Sequence, residues 1–174
     1  MNLTRKDIIL RPDPKRVLFR PFIPKTRKQI LKIIARILKL SEQQVEKHYD
    51  EIISEFGKRH NKIDKYFLKQ FDAVKELIFT DEPLSEKRKL LIGAYFTLEY
   101  SFESSALFNP SMIWHPDQSG LSDGSRRFIL SLRAIGEGHI SSITFRSGIV
   151  KSNGDVLIDP PTRFVTYAEI IPDS

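Results

Sequence analysis

The apolar pattern of this chain changes period at Leu98, and that switch limits the fold more than any other feature. Before it, apolar residues recur at helical spacing. After it, they gather in short runs of β-branched and aromatic residues broken by Gly and Ser. Runs of helices followed by runs of strands argue for an α+β protein and against a βαβ alternation.

The helical part can be read in some detail. Thr26 with Gln29, and Ser41 with Gln44, have capping-box spacing, so each pair can satisfy orphan N–H groups of a first turn. Ile30, Ile33, Ile34, Ile37 and Leu38 then share one face. Val45, Tyr49, Ile52, Ile53 and Phe56 form the stripe of the second helix, with Gly57 as its terminator. A third helix is expected from Ile63 to Phe79, with Phe67, Phe71, Val74 and Ile78 inward. Pro83 ends it, and Ser85 caps a fourth helix that holds Leu90, Leu91, Ala94 and Tyr95. Short connections make antiparallel neighbours the expectation. Ahead of the helices, Pro12, Pro14, Pro21 and Pro24 keep the chain extended. Val17–Ile23 is either a short edge strand or, as we expect, a strap.

Strands are expected at Phe128–Leu132, Ile140–Phe145, Val156–Ile158 and Phe164–Tyr167. Asn153-Gly154 marks a hairpin between two of them. The expected division is a strap plus helical unit at 1–97 and an antiparallel β unit at 98–174.

Composition narrows the function classes. The chain has 174 residues, 40% of them hydrophobic, which is enough for a packed core. It has no cysteine, so a disulfide framework and thiolate metal sites are excluded. The N-terminus carries no apolar leader, and charges interrupt every apolar run. We therefore expect a soluble cytoplasmic protein without a membrane partner. Net charge is +6, unevenly spread. Residues 1–100 hold 22 Lys and Arg against 14 Asp and Glu, and residues 101–174 hold 6 against 8. The cations alternate with apolar positions at helical spacing, as on a solvated helix face, so a nucleic-acid partner is not expected.

Polar groups suited to a polyol collect in the β part: Asn109, Ser111, Arg133, His139 and Ser141. Pro110 biases Asn109 toward extended or turn geometry, which can present its amide as both donor and acceptor. An Asx-turn closing the loop would explain the same residues. Arg133 ends the expected strand Phe128–Leu132, and there it must reach solvent or a partner. His48 and His60 lie in helical sequence, where solvent-facing or capping roles are expected. His115, Asp117 and His139 match no metal signature, so no metal is expected. A phosphate-binding Gly-rich loop followed by Lys is lacking.

Several segments together carry a family resemblance. They are Leu91–Glu103, Ala106-Leu-Phe-Asn-Pro-Ser111, His115-Pro-Asp-Gln-Ser-Gly120, Phe128–Ala134 and Gly136-Glu-Gly-His-Ile-Ser-Ser-Ile143, with Pro14–Phe22 ahead of them. The set resembles glycoside hydrolase family 130, the β-mannoside phosphorylases and β-mannosidases, in its long branch with a helical N-terminal extension. The resemblance implies a five-bladed β-propeller with the sugar at its central funnel. It implies that Asn109, Ser111 and Arg133 contact the sugar, and His139 and Ser141 with them. It also implies a β-mannoside oligosaccharide substrate and inverting cleavage, with inorganic phosphate as an admissible co-substrate and no other cofactor. The family's general-acid Asp belongs to a later blade, so no catalytic residue is expected here. With blades of roughly 40–50 residues, the chain is expected to be an N-terminal portion, inactive alone, that packs against the remainder of the propeller. A homo-oligomer is compatible with this reading. The competing expectation is a short, non-catalytic sugar-binding or protein-interaction module. A nucleic-acid binder using the basic helices ranks last.

Overall fold

The computed structural model describes residues 5–166. The protein is α+β, with four α-helices and two sheets among the described residues. Its residues gather into two compact units, one formed by 5–16 with 101–163, the other by 17–100 with 164–166.

In the second of these units, helix α1 spans Arg27–Leu38 and α2 spans Glu42–Phe56. Both open on the expected capping boxes. Thr26 Oγ1 accepts from Gln29 N at 3.3 Å, and Ser41 Oγ accepts from Gln44 N at 3.3 Å, with each Gln side chain returning the bond. Gly57 caps α2. Helix α3 spans Ile63–Val74 and then tightens into a 3-10 turn at Lys75–Leu77. It is shorter than the Ile63–Phe79 helix expected from periodicity. At Ile78 the backbone is already extended, and Leu77 and Ile78 both pack against the core. Helix α4 spans Glu86–Tyr95, capped by Ser85.

Two apolar clusters hold these helices. Ile30, Ile34, Ile37, Val45, Val74, Leu91, Ile92 and Phe96 form one. Phe19, Tyr49, Ile63, Phe67 and Leu90 form the other. Helix α4 contributes to both, which is why its apolar residues run consecutively. At Gly93 a Cβ would meet the Phe67 carbonyl oxygen at 1.9 Å, so only glycine permits this approach of α3 and α4. The buried Arg88 guanidinium closes the end of α1, donating to the carbonyls of Ile37 (2.5 Å) and Leu40 (2.7 Å) and to Glu42 Oε1 (2.6 Å). Val17–Pro21 is a strand, β1, and not a strap. It pairs with β2, Thr97–Ser101, and carries Phe19 into the second cluster.

The other unit is built on an antiparallel sheet ordered β3-β4-β5-β6, with β3 at Ala106–Trp114, β4 at Arg126–Ile135, β5 at Ser141–Val150 and β6 at Val156–Ile158. Strand β3 was not expected, because Pro110 reads as a loop signal. The proline is tolerated at a bulge on an edge strand, where no ladder donor is needed. Strand β4 runs past both ends of the expected Phe128–Leu132, and β5 starts at Ser141 and continues beyond Phe145 to Val150. The hairpin after β5 turns at Asn153-Gly154 as expected. Of the two, only Gly154 has positive φ (81°), and Gly154 N donates to Lys151 O at 2.9 Å. Residues 164–166 are not in a strand, and Tyr167 lies outside the described residues.

Alternation along the sheet separates its faces. Phe128, Leu132, Ala134, Thr144 and Arg146 are buried. Between them Ile113, Ile143 and Phe145 stand open, at 63%, 70% and 62% exposure.

Candidate functional site, a groove on the sheet

Strand β3 meets β4 in register from Ala106↔Ile135 to Phe108↔Arg133, then slips and resumes at Ser111↔Ser131. The slip is a β-bulge, and Asn109 sits in it with φ 51°. Non-glycine residues rarely take this conformation, and Asn tolerates it best because its short polar side chain can bond locally. The bulge re-aims the strand beside Arg133. Arg133 does not end its strand. It lies inside β4, exposed, opposite Phe108 on one side and Ile143 on the other. Its Nε and one Nη donate to Ser141 Oγ at 3.2 and 2.8 Å, and its guanidinium carbon stands 5.3 Å from the centre of the Phe108 ring.

Asn109, Ser131, Leu132, Arg133, Ser141 and Ile143 line a groove of about 380 Å³. Three of the five residues expected to bind a sugar, Asn109, Arg133 and Ser141, therefore meet in one place. Ser111 and His139 do not line it. Ser111 lies across from Ser131, and its carbonyl accepts from Ser131 Oγ at 3.3 Å. His139 follows Gly138 in a short 3-10 turn, both with positive φ (59° and 63°). The groove offers one fixed cation, an amide and hydroxyls beside an aromatic ring. Such a set can bind hydroxyl groups or a weak anion through directed hydrogen bonds.

The segment His115–Gly120 is a loop tied to β4 through Arg127. Asp117 accepts from Ser119 N and Oγ at 2.8 and 2.6 Å and pairs with Arg127 at 3.2 Å. The Ser119 bonds, aided by Arg127, hold its carboxyl below the usual range. Among the described residues, no group of three or more His, Cys, Asp or Glu can hold a metal ion.

Two charged clusters escaped the sequence reading. The first is buried behind the sheet. Glu103 accepts from Arg146 (2.9 and 2.8 Å), Arg16 (3.0 Å) and Thr144 (3.0 Å). The second corrects the solvent-facing or capping role expected of His60. That residue is buried, its ring stacked on Phe19 at 3.6 Å, with Nε2 2.7 Å from Glu99 Oε1. Arg59 grips the same carboxylate at 3.0 and 3.1 Å. Burial pushes His60 below its ordinary pKa, and the Glu99 hydrogen bond pulls the other way. Only spatial proximity reveals either cluster, because the partners lie 39 or more positions apart.

No family model matches this chain, and neither a curated protein nor a solved structure matches it. Among the described residues, no helix is long and apolar enough to cross a membrane.

Proposed function

We propose that this chain is the N-terminal part of a cytoplasmic carbohydrate-active enzyme of the glycoside hydrolase family 130 type. Such an enzyme cleaves β-mannosides by phosphorolysis or hydrolysis with inversion, and the groove at Arg133 contributes to its sugar subsite. The observation that carries this reading is the convergence of Asn109, Arg133 and Ser141 beside Phe108. A sugar ring has hydroxyls for the first three and a C–H face for the fourth. In this reading the four-stranded sheet is a propeller blade, and its open apolar residues outside the groove, Ile113 and Phe145, pack on the next blade. The general acid comes from a later blade, and inorganic phosphate or water attacks the anomeric carbon.

The test is binding of β-1,4-mannobiose to the chain, followed by backbone NMR, together with an assay for sugar release with and without phosphate. We expect shifts around residues 131–143 that vanish in Arg133→Ala, and no turnover. Absence of binding would sink the sugar subsite. Turnover by this chain would refute the assignment of the acid to a later blade.

The same open face supports a second reading, a non-catalytic module whose apolar sheet face receives a protein partner. Sugar binding without any family-type catalysis in the full-length gene product would favour it.

A further inference from the structure

Beside the His60–Glu99 pair, within the helical unit, lies a cavity of about 490 Å³, in the size range of small-molecule sites. Phe19, Phe56, Phe67 and Ile52 wall it, and Phe22, Tyr95 and Leu98 stand at it more than one-third exposed. Its polar groups are few: the Glu99 carboxylate, the Thr97 hydroxyl and the Tyr95 phenol.

The charge on Glu99 is already matched. Arg59 donates two bonds to it, and His60 a third contact. A cationic ligand would lose its hydration without gaining a free countercharge, and an anion would meet the carboxylate. A purely apolar ligand would dry out the one acceptor site that Glu99 still offers, since a carboxylate has about four and three are used. Thr97 donates its proton to the Gly93 carbonyl at 2.8 Å, so it too can only accept from a ligand. The cavity therefore asks for a neutral molecule with two O–H donors on a compact ring whose C–H faces suit aromatic walls.

We propose that this cavity is a binding site for a single neutral pyranose ring, with Glu99 and Thr97 accepting its hydroxyl protons and the aromatic residues covering its faces. It shares no residue with the groove at Arg133 and does not depend on that assignment.

The experiment is an NMR titration of the ¹⁵N-labelled chain with methyl β-D-mannopyranoside and methyl β-D-glucopyranoside, with benzyltrimethylammonium chloride as a cationic control. We expect saturable shifts at residues 94–99 with a sugar. Affinity should fall at least roughly tenfold in Tyr95→Ala and in Glu99→Gln. Tyr95 is half exposed, so its variant keeps the fold, which circular dichroism verifies. Undisturbed amides at 94–99, unchanged affinity in Tyr95→Ala, or saturation by the ammonium salt alone would each overturn the proposal. Shifts confined to 131–143 and lost in Arg133→Ala would support the groove and overturn this site. Shifts confined to 94–99 would do the reverse.

Discussion

Nε2 of His60 lies 2.7 Å from Oε1 of Glu99, and the same imidazole stacks within 10° of parallel on Phe19. One histidine therefore joins a charged cluster to an apolar one. Burial favours its neutral form, so its folded pKa sits below the ordinary 6.5. The folded state then binds fewer protons than the unfolded state as the pH falls through that value. Stability is fully present above 6.5 and declines below it. Urea unfolding from pH 7.5 down to 5.5 should show this loss. His60→Phe, which keeps the stacking surface and removes the titration, should flatten the profile relative to the parent. An equal pH slope in both proteins would show that other groups set it.

The Glu103 cluster should behave as a fully buried ion pair. Glu103→Ala leaves Arg146 and Arg16 facing a dry gap and should cost about 3–5 kcal/mol in chemical denaturation. Replacing Glu103 and Arg146 by apolar residues in Glu103→Leu/Arg146→Met should recover the share of that loss that falls on Arg146, while Arg16 still lacks its carboxylate. A double variant no better than the single one would assign the cluster a role beyond charge satisfaction.

Gly93 and Gly120 give opposite expectations for one substitution. Gly93→Ala sets a methyl into the backbone of Phe67 and should separate α3 from α4, with a loss above about 3 kcal/mol or failure to fold. Gly120→Ala meets open space at φ 68° and should cost only about 1 kcal/mol of backbone strain. Thermal melting of the two variants makes the comparison. Similar losses would contradict the close packing at Gly93.

Asn109 separates conformation from recognition. Asn109→Gly suits its left-handed backbone and should leave stability unchanged or raised by up to about 1 kcal/mol. Asn109→Ala should lose about 1 kcal/mol. Both remove the amide from the groove, so both should weaken mannoside binding alike. Retained binding in the glycine variant would mean that the bulge matters and the amide does not.

The parts of this fold that are legible in sequence are those decided within a few residues. Thr26 with Gln29, Ser41 with Gln44, and Ser85 act where the spacing puts them, because a cap involves one turn of backbone. The end of α3 was not legible, because the Phe67–Ile78 periodicity continues through the point where the backbone tightens. Strand β3 was hidden by Pro110, since a bulge on an edge strand and a loop share the same local signals. The groove was half legible. Asn109, Arg133 and Ser141 converge through strand register, which a single sequence does not state, and the same register leaves Ser111 and His139 outside. His60 failed for a related reason. Its neighbours in sequence are polar, while Phe19 and Glu99 arrive from two other elements.

Arg16 and Glu103 stand 87 positions apart. Among the described residues, every α-helix and both apolar clusters lie in the continuous stretch between them. A chain made from its N-terminus can thus condense its helices while the stretch before Val17 still waits for its partner. Pro12 and Pro14 suit that interval, because they keep the waiting segment from being drawn into helix. Glu103 is then the first of the segment's partners to emerge, and Asp155 and Thr162, which bond to Lys6 and Arg16, follow more than fifty residues later.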